Sequence, residues 1–239
     1  MSSPSEPSPP DQPIIAIRDL GRRFGRSWAL AHVDLEVARG ELVLLAGANG
    51  SGKTTLLRTI AGLIHRTRGE LRVFGRDPNR ARAHCRSRLC LVTHHGYLYE
   101  NLTALEMLEL WNRLSPAPRP RSELMPLLER MGLAERARNE VRGFSAGMRK
   151  RLTLLRAELE RPELLLLDEP FSALDPDGQR FLEQWIRASR EAGKTFVIAS
   201  HALMRATNLG GSSVLLERGQ IAWRGPSSQL LARFSGSAS

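Results

Sequence analysis

The sequence predicts an α/β fold with a mostly parallel sheet, and two observations carry the prediction. Continuous apolar runs short enough to be fully buried strands, Leu42–Ala46 and Leu164–Leu167, stand beside stretches of helical period at about Lys53–Ile64, Ala146–Glu160 and Pro176–Ala192. These strands and helices alternate along the chain, the order that lays parallel strands side by side with helices on the sheet faces. A length of 239 residues suits one large domain, or a core with one small subdomain.

Taken in order, residues 1–13 hold five prolines and four serines, too little apolar surface to order a chain, and read as a flexible tail. Ile14–Leu20 and Leu30–Val37 are short alternating strands, expected as an N-terminal antiparallel β subdomain. Leu42–Ala46 runs into a glycine-rich turn and then the helix Lys53–Ile64, followed by strand-like pieces at about Glu70–Phe74 and Leu89–Thr93. From Thr103 to Arg142 apolar residues recur every three or four positions (Leu105, Leu108, Leu110, Leu114, then Leu124, Leu127, Leu128, Met131), interrupted by Pro116, Pro118 and Pro120. With the helix Ala146–Glu160 this predicts an inserted helical subdomain over about 103–160. Phe196–Ser200 is a further strand, the folded domain is expected over 14–234, and 235–239 reads as a tail.

Composition narrows the function. Hydrophobic residues at 41% and charged residues at 25% exclude fibrous and wholly disordered classes. Uncharged stretches such as Leu42–Gly52 fall well short of the roughly 18 residues that cross a bilayer. Residues 1–13 carry no basic start followed by an apolar run, so the chain is expected in the cytosol. Two cysteines, Cys85 and Cys90, suit a reducing compartment and are expected as buried thiols. The net charge of +10 points to an anionic partner, whether nucleotide, nucleic acid or lipid headgroup. Eight arginines between Arg66 and Arg88, against Glu70 and Asp77, form a basic stretch that reads as solvated surface or as a face toward headgroups or a partner's loops.

The residues from Gly47 through Ala48, Asn49, Gly50, Ser51, Gly52 and Lys53 to Thr54 match the phosphate-binding loop, placed after a buried strand and before a helix as its mechanism demands. Glycines let backbone N–H groups converge on phosphates, the helix start adds its dipole, Lys53 reaches the β- and γ-phosphates, and the Thr54 hydroxyl ligates Mg²⁺, with Thr55 beside it in the nucleotide site. At the end of the second apolar run Asp168 is placed to hold Mg²⁺ opposite Thr54, and Glu169 to polarise the water that attacks the γ-phosphate. The fold expected is therefore α/β with a P-loop NTPase core, ATP and Mg²⁺ being its cofactors.

Phe144-Ser145-Ala146-Gly147-Met148, 23 residues before Asp168, resembles the signature of ATP-binding-cassette ATPases, a resemblance that covers about Ile14–Phe234. It implies that Ser172–Asp175 is the D-loop, with Asp175 a nucleotide-site residue, and that His201 is the switch histidine. It also implies a head-to-tail dimer in which Ser145 and Gly147 serve the partner's γ-phosphate. Ser145 suits this locally, being a natural N-cap of a helix aimed at an anion. The adenine platform is assigned to Phe24, with Trp28 the alternative, and the metal-sensing glutamine of the family aligns with His95, next to His94. Two departures stand in the signature, Ala146 for glycine and Met148 for glutamine, the second removing a polar contact.

The resemblance implies a homodimer or heterodimer of ATPase subunits docked on separate polytopic membrane subunits, peripheral on the cytoplasmic face of the inner membrane. Ser145-Ala146-Gly147, and the segment from His94-His95 to Asn101–Glu106, look like the haem-exporter ATPase of bacterial cytochrome c maturation. Exporters of drugs, lipids or polysaccharides share much of that pattern. The competing class is a soluble cassette ATPase on ribosomes or DNA, but the chain lacks that class's tandem cassettes and long coiled coils, and no direct nucleic-acid partner is expected.

Overall fold

The computed structural model describes residues 12–93, 98–115, 117–201 and 207–236. Two sheets organise it. A three-stranded antiparallel sheet has the order β2-β1-β4, formed by β1 (Ile15–Phe24), β2 (Ser27–Val37) and β4 (Arg68–Val73). A six-stranded sheet contains β3 (Leu42–Ala46), β5 (Leu89–Val92), β6 (Leu164–Asp168), β7 (Thr195–Ala199), β8 (Ser212–Glu217) and β9 (Gln220–Pro226). Its order is β5-β6-β7-β3-β8-β9, parallel throughout except for the antiparallel edge strand β9. This is the P-loop NTPase form of the α/β class, with the antiparallel sheet attached.

Every residue of β3, β6 and β7 is buried, which explains why their sequences are continuous rather than alternating. Alternate side chains feed two cores. Leu42, Leu44, Leu165, Leu167, Phe196 and Ile198 face one, shared with helices α3 (Ala104–Leu114), α4 (Leu124–Arg130), α5 (Ala146–Glu160) and α6 (Pro176–Glu191). Val43, Leu45, Leu164, Leu166, Val197 and Ala199 face the other, shared with the antiparallel sheet and helix α1 (Lys53–Ile60). Helix α2 (Arg82–Arg86) precedes β5. Cys85 lies in the second core and Cys90 in the first, so the two buried free thiols sit on opposite sides of the sheet, and burial pushes the Cys90 thiol up to about 12.

Several boundaries shift from the sequence-based expectation. Helix α1 stops at Ile60 because Gly62, at φ 69°, turns the chain where the apolar pattern alone would continue. Strand β4 ends before Phe74, which takes a positive φ of 52°. Leu114, expected on the apolar face of α3, is 74% exposed, because Ala104, Met107 and Leu108 define the buried stripe and Leu114 closes the helix. Strands β8 and β9 carried no specific expectation, and the last helix, α7 (Ser227–Gly236), includes residues 235 and 236, expected in the tail. Among the described residues no helix is long and apolar enough to cross a membrane.

The amino ends of the central strands are tied by Glu163. Its carboxylate accepts from Arg88 Nε at 2.5 Å and Arg39 Nη1 at 2.9 Å, while its peptide accepts from Thr195 N and donates to Arg88 O. The Arg88 bond, more than burial opposes, holds the Glu163 carboxyl below its ordinary 4.5. A depressed carboxyl stabilises the fold above its unfolded pKa and loses that contribution as pH falls through the folded one. Glu163→Gln is therefore expected to lose about 1 kcal/mol at neutral pH, the side chain being partly exposed and screened. Urea denaturation at a series of pH values checks it: the gap between the two proteins should close on acidification below 4.5.

Candidate functional site

The phosphate loop leaves the buried strand β3 and enters α1 through three glycines with positive φ: Gly47 at 144°, Gly50 at 79° and Gly52 at 110°. A Cβ on Gly47 would lie 2.2 Å from Leu216 O, and one on Gly52 would lie 2.5 Å from Ala29 O, so β8 and β2 brace the loop from outside. At Gly50 a Cβ meets nothing, and only the backbone conformation asks for glycine. Helix α1 starts with no side-chain cap and no acidic residue in its first turn, leaving its N–H groups and dipole for an anion.

Ala48, Asn49 and Gly50 are exposed at the tip of the loop, and Thr55 is half-buried behind it. Lys53 is buried, its Nζ donating to Gly47 O at 2.7 Å and Ala48 O at 3.1 Å. Burial pushes its amine down, while the charges of Glu169 and Asp168 pull it up. Ser51 Oγ is buried with no hydrogen-bond partner among the described residues, an orphan that a phosphate oxygen would satisfy.

The acid pair arrives from β6. Parallel pairing aligns Asp168 with Ala199 of β7 and Ala199 with Leu45 of β3, so the carboxyl ends of three strands meet at one level. There the Thr54 hydroxyl donates to Asp168 Oδ1 at 3.0 Å. A hydroxyl and a carboxylate, both hard oxygen donors, fit Mg²⁺. Burial pushes the Asp168 carboxyl up, the Thr54 bond pulls it down, and the neighbouring Glu169 charge pushes it up again. Glu169 sits at φ 49°, its N–H donating to Ala199 O at 2.8 Å. Its Oε2 accepts from His201 Nδ1 at 2.8 Å and from the His201 backbone N–H at 3.2 Å. The left-handed turn thus swings the second carboxylate off the strand line and onto the histidine two residues beyond β7.

A second group forms apart from the first. Ser145 caps α5, its Oγ accepting from Met148 N at 3.2 Å, and Asp175 caps α6, its Oδ1 accepting from Gly178 N at 2.8 Å. A Cβ on Gly147 would stand 3.8 Å from Ser145 Oγ and 3.9 Å from Asp175 Oδ1, so the three residues share one surface. Beside it lies a cavity of about 450 Å³, with Arg136, Arg142, Phe144 and Met148 in its wall. No hydrogen bond among the described residues joins this group to the phosphate loop or the acid pair.

Phe24 and Trp28 lie at the tip of the β1–β2 hairpin, in register with Ser27 and Arg23 respectively, both exposed, at 47% and 43%. The Arg22 guanidinium lies 4.4 Å over the Phe24 ring, and Arg68 lies 5.2 Å over Trp28. His95, expected as the metal-sensing residue, and the adjacent His94 lie outside the described residues. Sequence reasoning missed Lys150, which is buried near the acid pair. The available signal was its rarity, as one of three lysines in a chain with 35 basic residues.

A family model described as ABC transporter matches residues 30–172 of this chain. The chain belongs to that family. Its core is the ATPase domain of ABC transporters, and similar proteins extend the match beyond that span. The sulfate/thiosulfate import ATP-binding protein CysA of Escherichia coli K12 is 34% identical over 237 residues, covering 93% of this chain. The chain spans 65% of CysA's length. The daunorubicin resistance ATP-binding protein DrrA3 of Streptomyces coeruleorubidus is 35% identical, covering 93% of this chain and 71% of its own. Among solved structures, an ATP-binding subunit of an ABC transporter superposes with TM-score 0.83 at 28% identity, covering 93% of each chain. The cassette MJ0796, in a dimeric post-hydrolysis state bound to ADP and Pi, gives 0.79 at 25% identity, covering 89% of this chain and 98% of that one.

Gly47→Ala is expected to destabilise the protein by about 3 kcal/mol, through both backbone strain and the clash at Leu216 O, whereas Gly50→Ala should cost about 1 kcal/mol. Thermal melts of the two variants check the difference, and equal shifts would show that β8 does not brace the loop.

Proposed function

We propose that this chain is the ATP-hydrolysing subunit of a transporter, working as a dimer on separate polytopic membrane subunits at the cytoplasmic face of the inner membrane. The observation that carries the hydrolytic part is the pair of contacts at the ends of β6 and β7, Thr54 to Asp168 and Glu169 to His201. Thr54 and Asp168 hold Mg²⁺, which neutralises phosphate charge when bound. Lys53 exchanges its contacts with Gly47 O and Ala48 O for the phosphates, and the orphaned Ser51 hydroxyl and the free N–H groups of α1 add donors around them. Glu169 accepts the proton of the attacking water, and His201 fixes which way the carboxylate faces.

Ser145, Gly147 and Asp175 stand together with no hydrogen bond among the described residues to their own chain's phosphate loop, which supports the reading that they act on the nucleotide of a second copy. The MJ0796 cassette, a dimer bound to ADP and Pi, supports the dimer itself. Phe24, with Trp28 as alternative, stacks the adenine on the ring face that arginine leaves open.

For the cargo, the proposal is haem export linked to cytochrome c biogenesis, supported by the resemblance of Ser145-Ala146-Gly147 and of the segment before Glu106. Part of that segment has a local role as well: Thr103 and Glu106 form a reciprocal capping box at the start of α3. The names of CysA and DrrA3 favour a second reading, with sulfate or a drug as cargo on the same ATPase mechanism.

Glu169→Gln is expected to bind ATP and dimerise with hydrolysis reduced about 10²-fold or more. Near-normal turnover would remove Glu169 as the base. The same variant, tagged and recovered from its own organism's membranes with ATP, tests the cargo. Cytochrome c maturation membrane proteins in the recovered material support haem export, another permease reassigns the cargo, and ribosomal or DNA-bound material without a membrane protein overturns the transport reading.

A further inference from the structure

Lys150 is a lysine with its whole polar end inside the protein. It is 8% exposed, and its Nζ is buried with no hydrogen-bond partner among the described residues. Filling space does not account for it, since an ammonium without partners is among the costliest groups to bury and a leucine or methionine would pack as well. The opposite charges that act on it are Asp168 and Glu169. It stands on α5, five residues after the Ser145 cap, so the helix that begins with the signature also carries this buried cation.

We propose that Lys150 is a positioning residue of the hydrolytic site: a fixed positive charge on the signature helix that offsets Asp168 and Glu169 and sets how strongly they attract a divalent metal. This rests on the reading of that pair as metal ligand and base. Two adjacent carboxylates, one of them buried, repel each other. An amine held in the same low-dielectric region offsets part of their negative charge and opposes the charge of an arriving metal. Burial pushes the Lys150 amine down to about 8 while the two carboxylates pull it up, so it carries its proton at neutral pH. Without a hydrogen bond it leaves the oxygens of Asp168 to Thr54 and those of Glu169 to His201, the contacts the site uses.

The test compares the full chain with Lys150→Met and Lys150→Arg. Mn²⁺ binding to the ATP-loaded proteins is followed by electron paramagnetic resonance, and melting temperatures are recorded in parallel. Removing the charge in Lys150→Met is expected to tighten Mn²⁺ binding about tenfold, with Lys150→Arg staying near the unsubstituted protein. A residue that only packs would change the melting temperature and leave Mn²⁺ affinity where it was, so unchanged affinity in Lys150→Met overturns the proposal. If Lys150→Met does not fold, Lys150→Gln carries the same expectation and the same refutation. Absence of any Mn²⁺ binding in the unsubstituted, ATP-loaded chain overturns the metal-site reading itself, and this proposal with it.

Discussion

The parallel register of β3, β7 and β6 is the constraint on which the site depends. Ala199 pairs with Leu45 on one side and with Asp168 on the other, so a loop that begins at Gly47, an acid pair at 168 and 169, and a histidine at 201 emerge at one level of one sheet edge. The loop lies more than a hundred residues from the acid pair and the histidine, and no local propensity brings them together. What does so is burial: all five residues of each strand are inside, and a slip of one residue would send every side chain to the opposite core. Ligand placement beyond the carboxyl ends of parallel strands follows directly from this geometry.

Polar groups are therefore concentrated where the sheet stops. Lys53, Ser51, Asp168 and Lys150 are all buried, and two side-chain atoms, Ser51 Oγ and Lys150 Nζ, have no hydrogen bond among the described residues. In an ordinary core such groups would be errors, because each unsatisfied polar atom costs free energy. Here they are stabilised by a frame that cannot collapse onto them: β8 and β2 brace Gly47 and Gly52, and Glu163 locks the far ends of the strands with two arginines. A site with unmet donors and paired carboxylates is poised for a polyphosphate and its cation, and its strain is part of that readiness.

The phosphate-loop and acid-pair motifs were legible in the sequence because each needs a fixed residue order beside a buried strand; the contact between Thr54 and Asp168 is a feature of the fold. The two faces of the sheet were legible for the same reason, since strands buried on both sides read as unbroken apolar runs. The β8–β9 hairpin was not, because Gln220–Pro226 alternates weakly and carries Gly225 and Pro226 at its end. Nor was the contact between Glu169 and His201, which depends on a left-handed residue no pattern announces. Lys150 was hidden because a lysine inside an amphipathic helix ordinarily faces water, and only tertiary packing reveals that this one does not. The Asn101–Glu106 segment shows the opposite hazard, a stretch chosen for its resemblance that is also explained by helix capping.

In the proposed dimer each site is finished by another copy, with the loop and acids from one chain and Ser145 and Gly147 from the next. Mixing two disabled chains tests it most directly: Ser145→Arg, which blocks the signature, and Lys53→Ala, which disables the phosphate loop. Each alone should be inactive, since every site in its own dimer lacks one half. Combined, they form mixed dimers holding one complete site, and ATP hydrolysis should reappear. A mixture as inactive as its components, with mixed dimers demonstrably formed, would contradict the account.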